Sequence, residues 1–315
     1  MKLGVVGAGS IVPFHLDALI AVGFEPTVIG TRPGSERVHA LSEKYGFSTK
    51  AETWQEVINS NVDAFLIAPE TSVTPEILQA AIKTGKPVLV EKPVAYSPKD
   101  LRELGEAPQV LVGYNRRHYS STAAALNLIA SSPNATFNAA VPESSWTTAM
   151  SREAKVATVL GNSVHVLDLL QYLFGKLEVR GIAALNDETG IVSRTVALGN
   201  DSRVGQVMIT IGSPSNFFID IHTPGKSASM RPIEFFQEFV GVNVVEPTKD
   251  IPLRHYTPTK GEAFELSKDD IDFKPGFLSQ ARELKALVEG TLHARKSATL
   301  ADAVSVLELA EAIVG

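Results

Sequence analysis

Lys2-Leu3-Gly4-Val5-Val6-Gly7-Ala8-Gly9-Ser10-Ile11-Val12 is an apolar strand running directly into a glycine turn, and a helical apolar pattern from about Ser10 to Val22 follows it. Gly7 suits the tight turn after such a strand. Gly9, with Ser10 and Ile11 behind it, lets backbone approach a pyrophosphate that then rests on the positive N-terminus of the helix. Pro13 falls in the first helical turn, where a missing N–H is tolerated. The third position of the fingerprint is Val12 rather than Gly or Ala. An ordinary strand-to-helix turn carries similar glycines, so the surrounding pattern has to decide.

That pattern alternates short apolar runs with helical segments. Leu3 to Val6, Thr27 to Gly30, Ala64 to Ala68, Val88 to Val90 and Val110 to Gly113 are too short and too aliphatic for helices and read as buried strands of a parallel sheet. Between them lie Glu36 to Tyr45, closed by Gly46, and Thr74 to Thr84, with Pro75 in its first turn and Gly85 past its end, both helix signatures. Residues 1–116 are therefore expected to form a doubly wound Rossmann domain that holds a dinucleotide. Residues 117–315 read as a second α/β domain with a mostly antiparallel open sheet. Its helices are Ser120 to Ala130 and about Ser163 to Phe174. Its strands are Thr136 to Val141, Val179 to Leu185, Ile191 to Leu198, Val204 to Ile211, Phe217 to His222 and Ile233 to Val240. Two terminal helices, Phe277 to Glu289 and Leu300 to Val314, can pack back on the first domain. Thr299-Leu300-Ala301-Asp302 resembles a capping box.

Composition narrows the function. The 315 residues carry 29 Lys plus Arg against 35 Asp plus Glu, a formal charge of -6, and no basic run tracks a phosphate backbone, which argues against nucleic acid as a partner. Without cysteine, disulfides, a thiolate nucleophile and Cys-based zinc sites are excluded. The seven histidines form no metal-binding motif, so no metal is expected. No secretion signal or bilayer-length apolar stretch is seen, and a soluble cytoplasmic chain is expected.

The residues that could carry chemistry lie at strand ends. About 20 residues past the glycines, NAD-selective folds place an acidic side chain on the ribose 2'-hydroxyl. Here stand Gly30-Thr31-Arg32. A guanidinium in place of a carboxylate favours NADP, with NAD as the alternative and Arg37 as a possible helper. The plainer reading of Arg32 is a solvated residue before a Pro33-Gly34 turn. Glu91-Lys92-Pro93 closes the Val88 to Val90 strand at the carboxyl edge where open α/β sheets bind ligands, and Pro69 and Glu91 join the cofactor-side candidates. A partly desolvated Lys92 there can exchange a proton with a substrate oxygen, although most lysines are simply exposed.

His165 and Asp168, three residues apart on one helical face, read either as a substrate histidine with its tautomer fixed by Asp168 or as a core histidine beside a carboxylate. Tyr114, Asn115, Arg116 and Arg117 follow the last strand of the first domain, where the arginines either clamp an anion or anchor the domains. Asn162 neighbours the histidine, and Glu143, Trp146 and Arg152 fall in the polar stretch before it.

Taken together, GVVGAGSIVPFH (4–15), VDAFLIAPE (62–70), GKPVLVEKPVAYS (85–97), VGYNRRH (112–118), GNSVHVLDLLQYLFG (161–175) and ATLADAVSVLELAEAI (298–313) resemble the glucose-fructose oxidoreductase / inositol dehydrogenase / MocA family in order and spacing over nearly the whole chain. The resemblance implies NAD(P)-dependent oxidation or reduction of sugars, polyols and related hydroxy compounds. It implies Lys92 as acid/base, His165 from the second domain on the reacting oxygen, and a homodimer or homotetramer formed through the C-terminal sheet. Two departures stand out. Gly161 occupies the position four before His165 where many polyol dehydrogenases of the family carry a carboxylate, leaving proton relay to Lys92 and His165 with Asn162 nearby. Pro69-Glu70-Thr71-Ser72-Val73 lacks the family's usual histidine. The Asn115-to-Tyr119 stretch resembles members acting on sugars or nucleotide-linked sugars in surface polysaccharide pathways. The competing expectation is a sensor that binds NADP and a sugar without turning either over.

Overall fold

Aliphatic strands of three to six residues, buried on both faces, are stable only when helices cover a parallel sheet from each side. The computed structural model describes residues 1–132, 134–144 and 149–315, in two compact units. The first unit comprises Met1–Tyr119, Ala157–Leu169 and Lys268–Gly315; the second comprises Ser120–Val156 and Leu170–Ser267.

In the first unit, β1 (Lys2–Val6), β2 (Glu25–Gly30), β3 (Thr49–Lys50), β4 (Ala64–Ile67), β5 (Val88–Val90) and β6 (Val110–Val112) form an all-parallel sheet in the order β3-β2-β1-β4-β5-β6. This is the Rossmann order, with its switch point between β1 and β4. The helices are α1 (Val12–Ala21), α2 (Glu36–Tyr45), α3 (Trp54–Ile58), α4 (Thr74–Lys83) and α5 (Pro98–Glu103). Their ends follow the local chemistry: Ser35 caps α2 by accepting from the Val38 N–H, and Gly46 ends it at φ 69°. Leu3, Val5, Leu16, Leu19, Leu66, Leu89 and Leu111 form the core beneath α1.

Gly7 is the position that only glycine satisfies, because its φ is 113° and a Cβ there would lie 2.2 Å from the Ala68 carbonyl oxygen. Around Gly9 a Cβ would meet nothing within 4 Å, which is the open space a phosphate needs. Val12, the unusual third position of the fingerprint, opens α1 fully buried.

The second unit holds α6 (Ser120–Ala130), β7 (Thr136–Pro142) and α7 (Arg152–Thr158). Next in chain order come α8 (Val164–Phe174), β8 (Glu178–Asp187), β9 (Gly190–Gly199), β10 (Val204–Thr210), β11 (Phe218–Thr223), β12 (Lys226–Met230), β13 (Gln237–Val245) and β14 (His255–Lys260). The eight strands form one open sheet, β14-β13-β12-β11-β7-β10-β9-β8, in which only β7 and β10 pair in parallel among the described residues. Expected strand Ile233 to Val240 is displaced: β12 lies earlier and β13 starts at Gln237. The stretch read as a polar loop before His165 contains α7, on which Arg152 sits, followed by a π turn at Val159–Ser163.

Residues 157–169, which include that π turn and the start of α8, belong to the first unit. His165 therefore belongs to the same compact unit as Lys92, not to the second domain as expected. So do the terminal helices α9 (Lys268–Asp272), α10 (Phe277–Val288) and α11 (Leu300–Val314). The capping box at Thr299 and Asp302 forms as expected, with both reciprocal hydrogen bonds.

Candidate active site

β5 delivers Glu91 and Lys92 to the carboxyl edge of the parallel sheet, beside the switch point. Lys92 is half-buried, and its Nζ donates to the Gly161 carbonyl oxygen at 3.2 Å. That acceptor lies in the π turn, whose wider winding redirects backbone carbonyls and is often found at functional sites. A Cβ on Gly161 would touch Tyr96 at 3.5 Å and Pro93 at 3.7 Å, ordinary contacts that leave room for a side chain. Asn162 is exposed on the same turn.

His165 lies one turn further along, with its Nδ1 buried and without a hydrogen-bond partner. The Tyr114 ring meets the imidazole edge-on at 6.1 Å. Burial, then the positive charges of Lys92, Arg116 and Lys274, hold the imidazole well below its ordinary pKa, so it is neutral at physiological pH. Lys274 gave no signal in the sequence because its role depends on a tertiary approach from the segment between α9 and α10.

Asp168 does not fix the His165 tautomer. It is fully buried and receives a forked bond from Arg117, Nε to Oδ2 at 2.9 Å and Nη2 to Oδ1 at 2.6 Å. Burial pushes the carboxyl up to about 6 against the pull of Arg117, leaving it ionised at neutral pH. Arg117 also reaches the capping-box Asp302 at 3.4 Å. Of the two arginines, Arg117 is thus the internal anchor, whereas half-exposed Arg116 is the one whose charge reaches His165.

Asn115 is also committed internally: its Nδ2 donates to the Tyr119 hydroxyl at 3.2 Å and the Pro275 carbonyl at 3.0 Å. Tyr114 is 2% exposed, and burial, reinforced by Asp168, pushes its phenol up. Both support the site from within rather than offering their side chains to solvent. Glu91 likewise turns inward, where His15 Nε2 donates to its Oε1 at 2.5 Å and the Lys92 N–H to its Oε2 at 3.1 Å. In the second unit Glu143 is buried and Arg152 exposed; Trp146 lies outside the described residues.

At the end of β2, Arg32 lines a cavity of about 340 Å³ together with Gly34, Ser35, Glu36, His39 and Lys50. Lys50 Nζ sits 3.4 Å from His39 Nδ1. Thr31 precedes the cavity, and its carbonyl accepts from the Trp54 N–H. Pro69, half-buried at the end of β4, backs the Gly7 turn. The open space at Gly9 and the cavity at β2, lined by Arg32 and Lys50 as well as Glu36 and Glu52, are candidates for the two ends of a dinucleotide's adenosine diphosphate.

The model of the oxidoreductase family with an NAD-binding Rossmann fold, GFO_IDH_MocA, matches residues 1–109. Over these residues the chain is similar to the NAD-binding domain of the Gfo/Idh/MocA oxidoreductases. Inositol 2-dehydrogenase 2 of Saccharopolyspora erythraea is 25% identical over 211 residues, covering 61% of this chain and 59% of that protein. The match thus spans about three fifths of that relative. Among solved structures, a dehydrogenase (MviM) from Clostridium difficile superposes with a TM-score of 0.79 at 17% identity, covering 100% of this chain and 98% of that one. Levoglucosan dehydrogenase in complex with NADH and levoglucosan gives 0.78 at 18% identity, covering 100% and 96%. At such identities the structural likeness establishes the fold. The glycine turn, the Glu91-Lys92-Pro93 lysine and the cavity at β2 all lie along one edge of the parallel sheet, the edge that Rossmann folds use for nucleotides. No described helix is long and apolar enough to cross a membrane.

Beside this edge, His118 bonds Ser279 Oγ at 2.9 Å and Ser297 Oγ at 3.0 Å. Burial, opposed by Glu283 and aided by Lys296 and Arg117, lowers it to about 4. In the unfolded chain the same group takes up its proton near 6.5. Between these values the unfolded state binds more protons, so stability is lost as pH falls from about 6.5 and the loss levels off below about 4. His165, also depressed, adds to the same acid limb. His118→Gln is expected to flatten the fall of the urea midpoint between pH 6.5 and pH 4; an unchanged slope would contradict the burial of a neutral imidazole.

Proposed function

We propose that the chain is an NADP-dependent oxidoreductase of a sugar, polyol or nucleotide-linked sugar, with Lys92 as the acid/base and His165 aligning the reacting oxygen. The observation that carries the reading is the placement of the Lys92 amino group, held by the Gly161 carbonyl, in one compact unit with a neutral His165 on which its charge acts. The nicotinamide, when bound, accepts or donates the hydride. In oxidation Lys92 takes the hydroxyl proton as the carbon–hydrogen bond breaks and the carbonyl forms; in reduction it returns that proton to the oxygen. His165, uncharged, orients the oxygen by hydrogen bonding without competing for the proton. Arg116 and Lys274 keep the imidazole neutral and hold positive potential where negative charge develops on the oxygen.

NADP preference is supported by Arg32 and Lys50 in the cavity at the end of β2; Glu36 and Glu52 in the same lining favour NAD as the second reading. A non-catalytic sensor is the second reading of the whole chain, and Gly161 in place of a carboxylate favours it. A homo-oligomer is supported by apolar side chains left exposed on the second sheet, among them Leu185, Val204, Val242 and Tyr256, all more than half exposed.

With keto-sugars and NADPH, turnover by the wild-type chain is expected, and Lys92→Met should lower kcat by about a hundredfold or more with NADPH affinity nearly unchanged. Equal turnover in Lys92→Met removes the lysine from the reaction, and nucleotide binding without turnover across the panel supports the sensor. Arg32→Ala and Lys50→Ala should each weaken NADPH binding by about tenfold and NADH binding by less than about threefold, read by fluorescence titration. Parallel losses for the two nucleotides would assign the site to NAD.

A further inference from the structure

In the first unit, buried His15 and half-buried Glu91 form a pair that neither the proposed nucleotide contacts nor the proposed proton transfer uses. His15 stands one turn into α1, is 1% exposed, and lies against the Phe277 ring with centroids 4.4 Å apart. Its Nε2–H donates to Glu91 Oε1 at 2.5 Å, and the other carboxylate oxygen accepts from the Lys92 backbone N–H at 3.1 Å. The end of β6 completes the cradle: a Cβ on Gly113 would lie 3.2 Å from Glu91 Oε1 and 3.1 Å from the Val90 carbonyl, so glycine there lets the carboxylate sit close to the sheet.

We infer that His15 is a positioning residue for Lys92, acting through the Glu91 carboxylate. The physical argument has three steps. A carboxylate with a side-chain exposure of 14% is stable only when its oxygens are hydrogen-bonded. With both oxygens engaged by an imidazole from α1 and by the backbone of the next residue, the carboxylate fixes where the chain leaves β5, and hence where the Lys92 side chain starts. The same bond ties Lys92 to the helix whose N-terminus faces the glycine turn, so the group that holds the pyrophosphate and the group that exchanges the proton share one rigid link. Removing the imidazole leaves a carboxylate oxygen without its partner and frees the backbone at Lys92. A misplacement of about 1 Å at a reacting group can cost a hundredfold in rate.

The inference rests on Lys92 being the acid/base, and two readouts separate the two claims. The first is the rate at which acetic anhydride modifies the Lys92 amino group at one fixed pH, followed by peptide mass spectrometry on the full-length chain; it reports the lysine's placement whether or not the chain turns over. His15→Leu is expected to change this rate at least threefold, whereas His15→Gln, which keeps a donor at the same reach, stays within error of wild type. Glu91→Gln, which loses one carboxylate oxygen, should also shift the rate, and it tests the link if His15→Leu does not fold. The second readout is kinetic: His15→Leu should lower kcat about tenfold or more with KM for NADPH within about threefold, and His15→Gln should restore kcat. Wild-type labelling rates in His15→Leu or, failing that variant, in Glu91→Gln overturn the inference. Full turnover in Lys92→Met alongside His15-dependent labelling overturns the catalytic reading while the positioning link stands.

Discussion

The forked ion pair between Arg117 and Asp168 is the contact on which the arrangement of the site depends. Both groups are buried, at 7% and 0% exposure, and an unpaired charge at either position would cost about 3–5 kcal/mol. Asp168 lies on the first turns of α8, and Arg117 lies in the 3₁₀ turn (Asn115–His118) that follows β6. The pair therefore binds residues 157–169 to the Rossmann sheet although its two members are 51 positions apart in the chain. Asp302, at the cap of α11, touches the same guanidinium, so three distant stretches of sequence close on one charge. The bond from Lys92 to Gly161 forms on this platform, with its acceptor carbonyl in the π turn.

Charge distribution supports the proposed division of roles. The charges of Lys92, Arg116 and Lys274 act on a half-buried imidazole, and a second proton there would be repelled by all three. A histidine in this setting is a neutral hydrogen-bonding group, in keeping with the proposed assignment of the proton to Lys92. The carboxylates nearby are already spent, Asp168 on Arg117 and Glu91 on His15 and backbone. Gly161, where a further carboxylate could stand, contributes its carbonyl instead.

Much of the first unit is legible in the sequence because its signals are local. α2 begins and ends at the residues that Glu36, Tyr45 and Gly46 imply, and Thr299 with Asp302 caps α11 as the pattern requires. The core strands read correctly because uninterrupted aliphatic runs have few other uses. β3, two polar residues long, and β14, with every residue exposed, carry no such pattern. At the site, Lys92 and His165 stand out from motif and spacing, but their partners do not. Helical periodicity places Asp168 on the face of His165, and only the tertiary approach of Arg117 shows which of the two uses it. The same holds for His15, whose meaning depends on a carboxylate 76 residues away, and for Lys50, which reaches the Arg32 cavity from a neighbouring strand.

The proposed pairing requires the charge of the Lys92 amino group to act on the His165 imidazole. NMR titration of the His165 ring in wild type and in Lys92→Met measures that coupling. Removing the neighbouring positive charge should raise the imidazole pKa from its depressed value toward the ordinary 6.5. A His165 titration identical in the two proteins would contradict the claim.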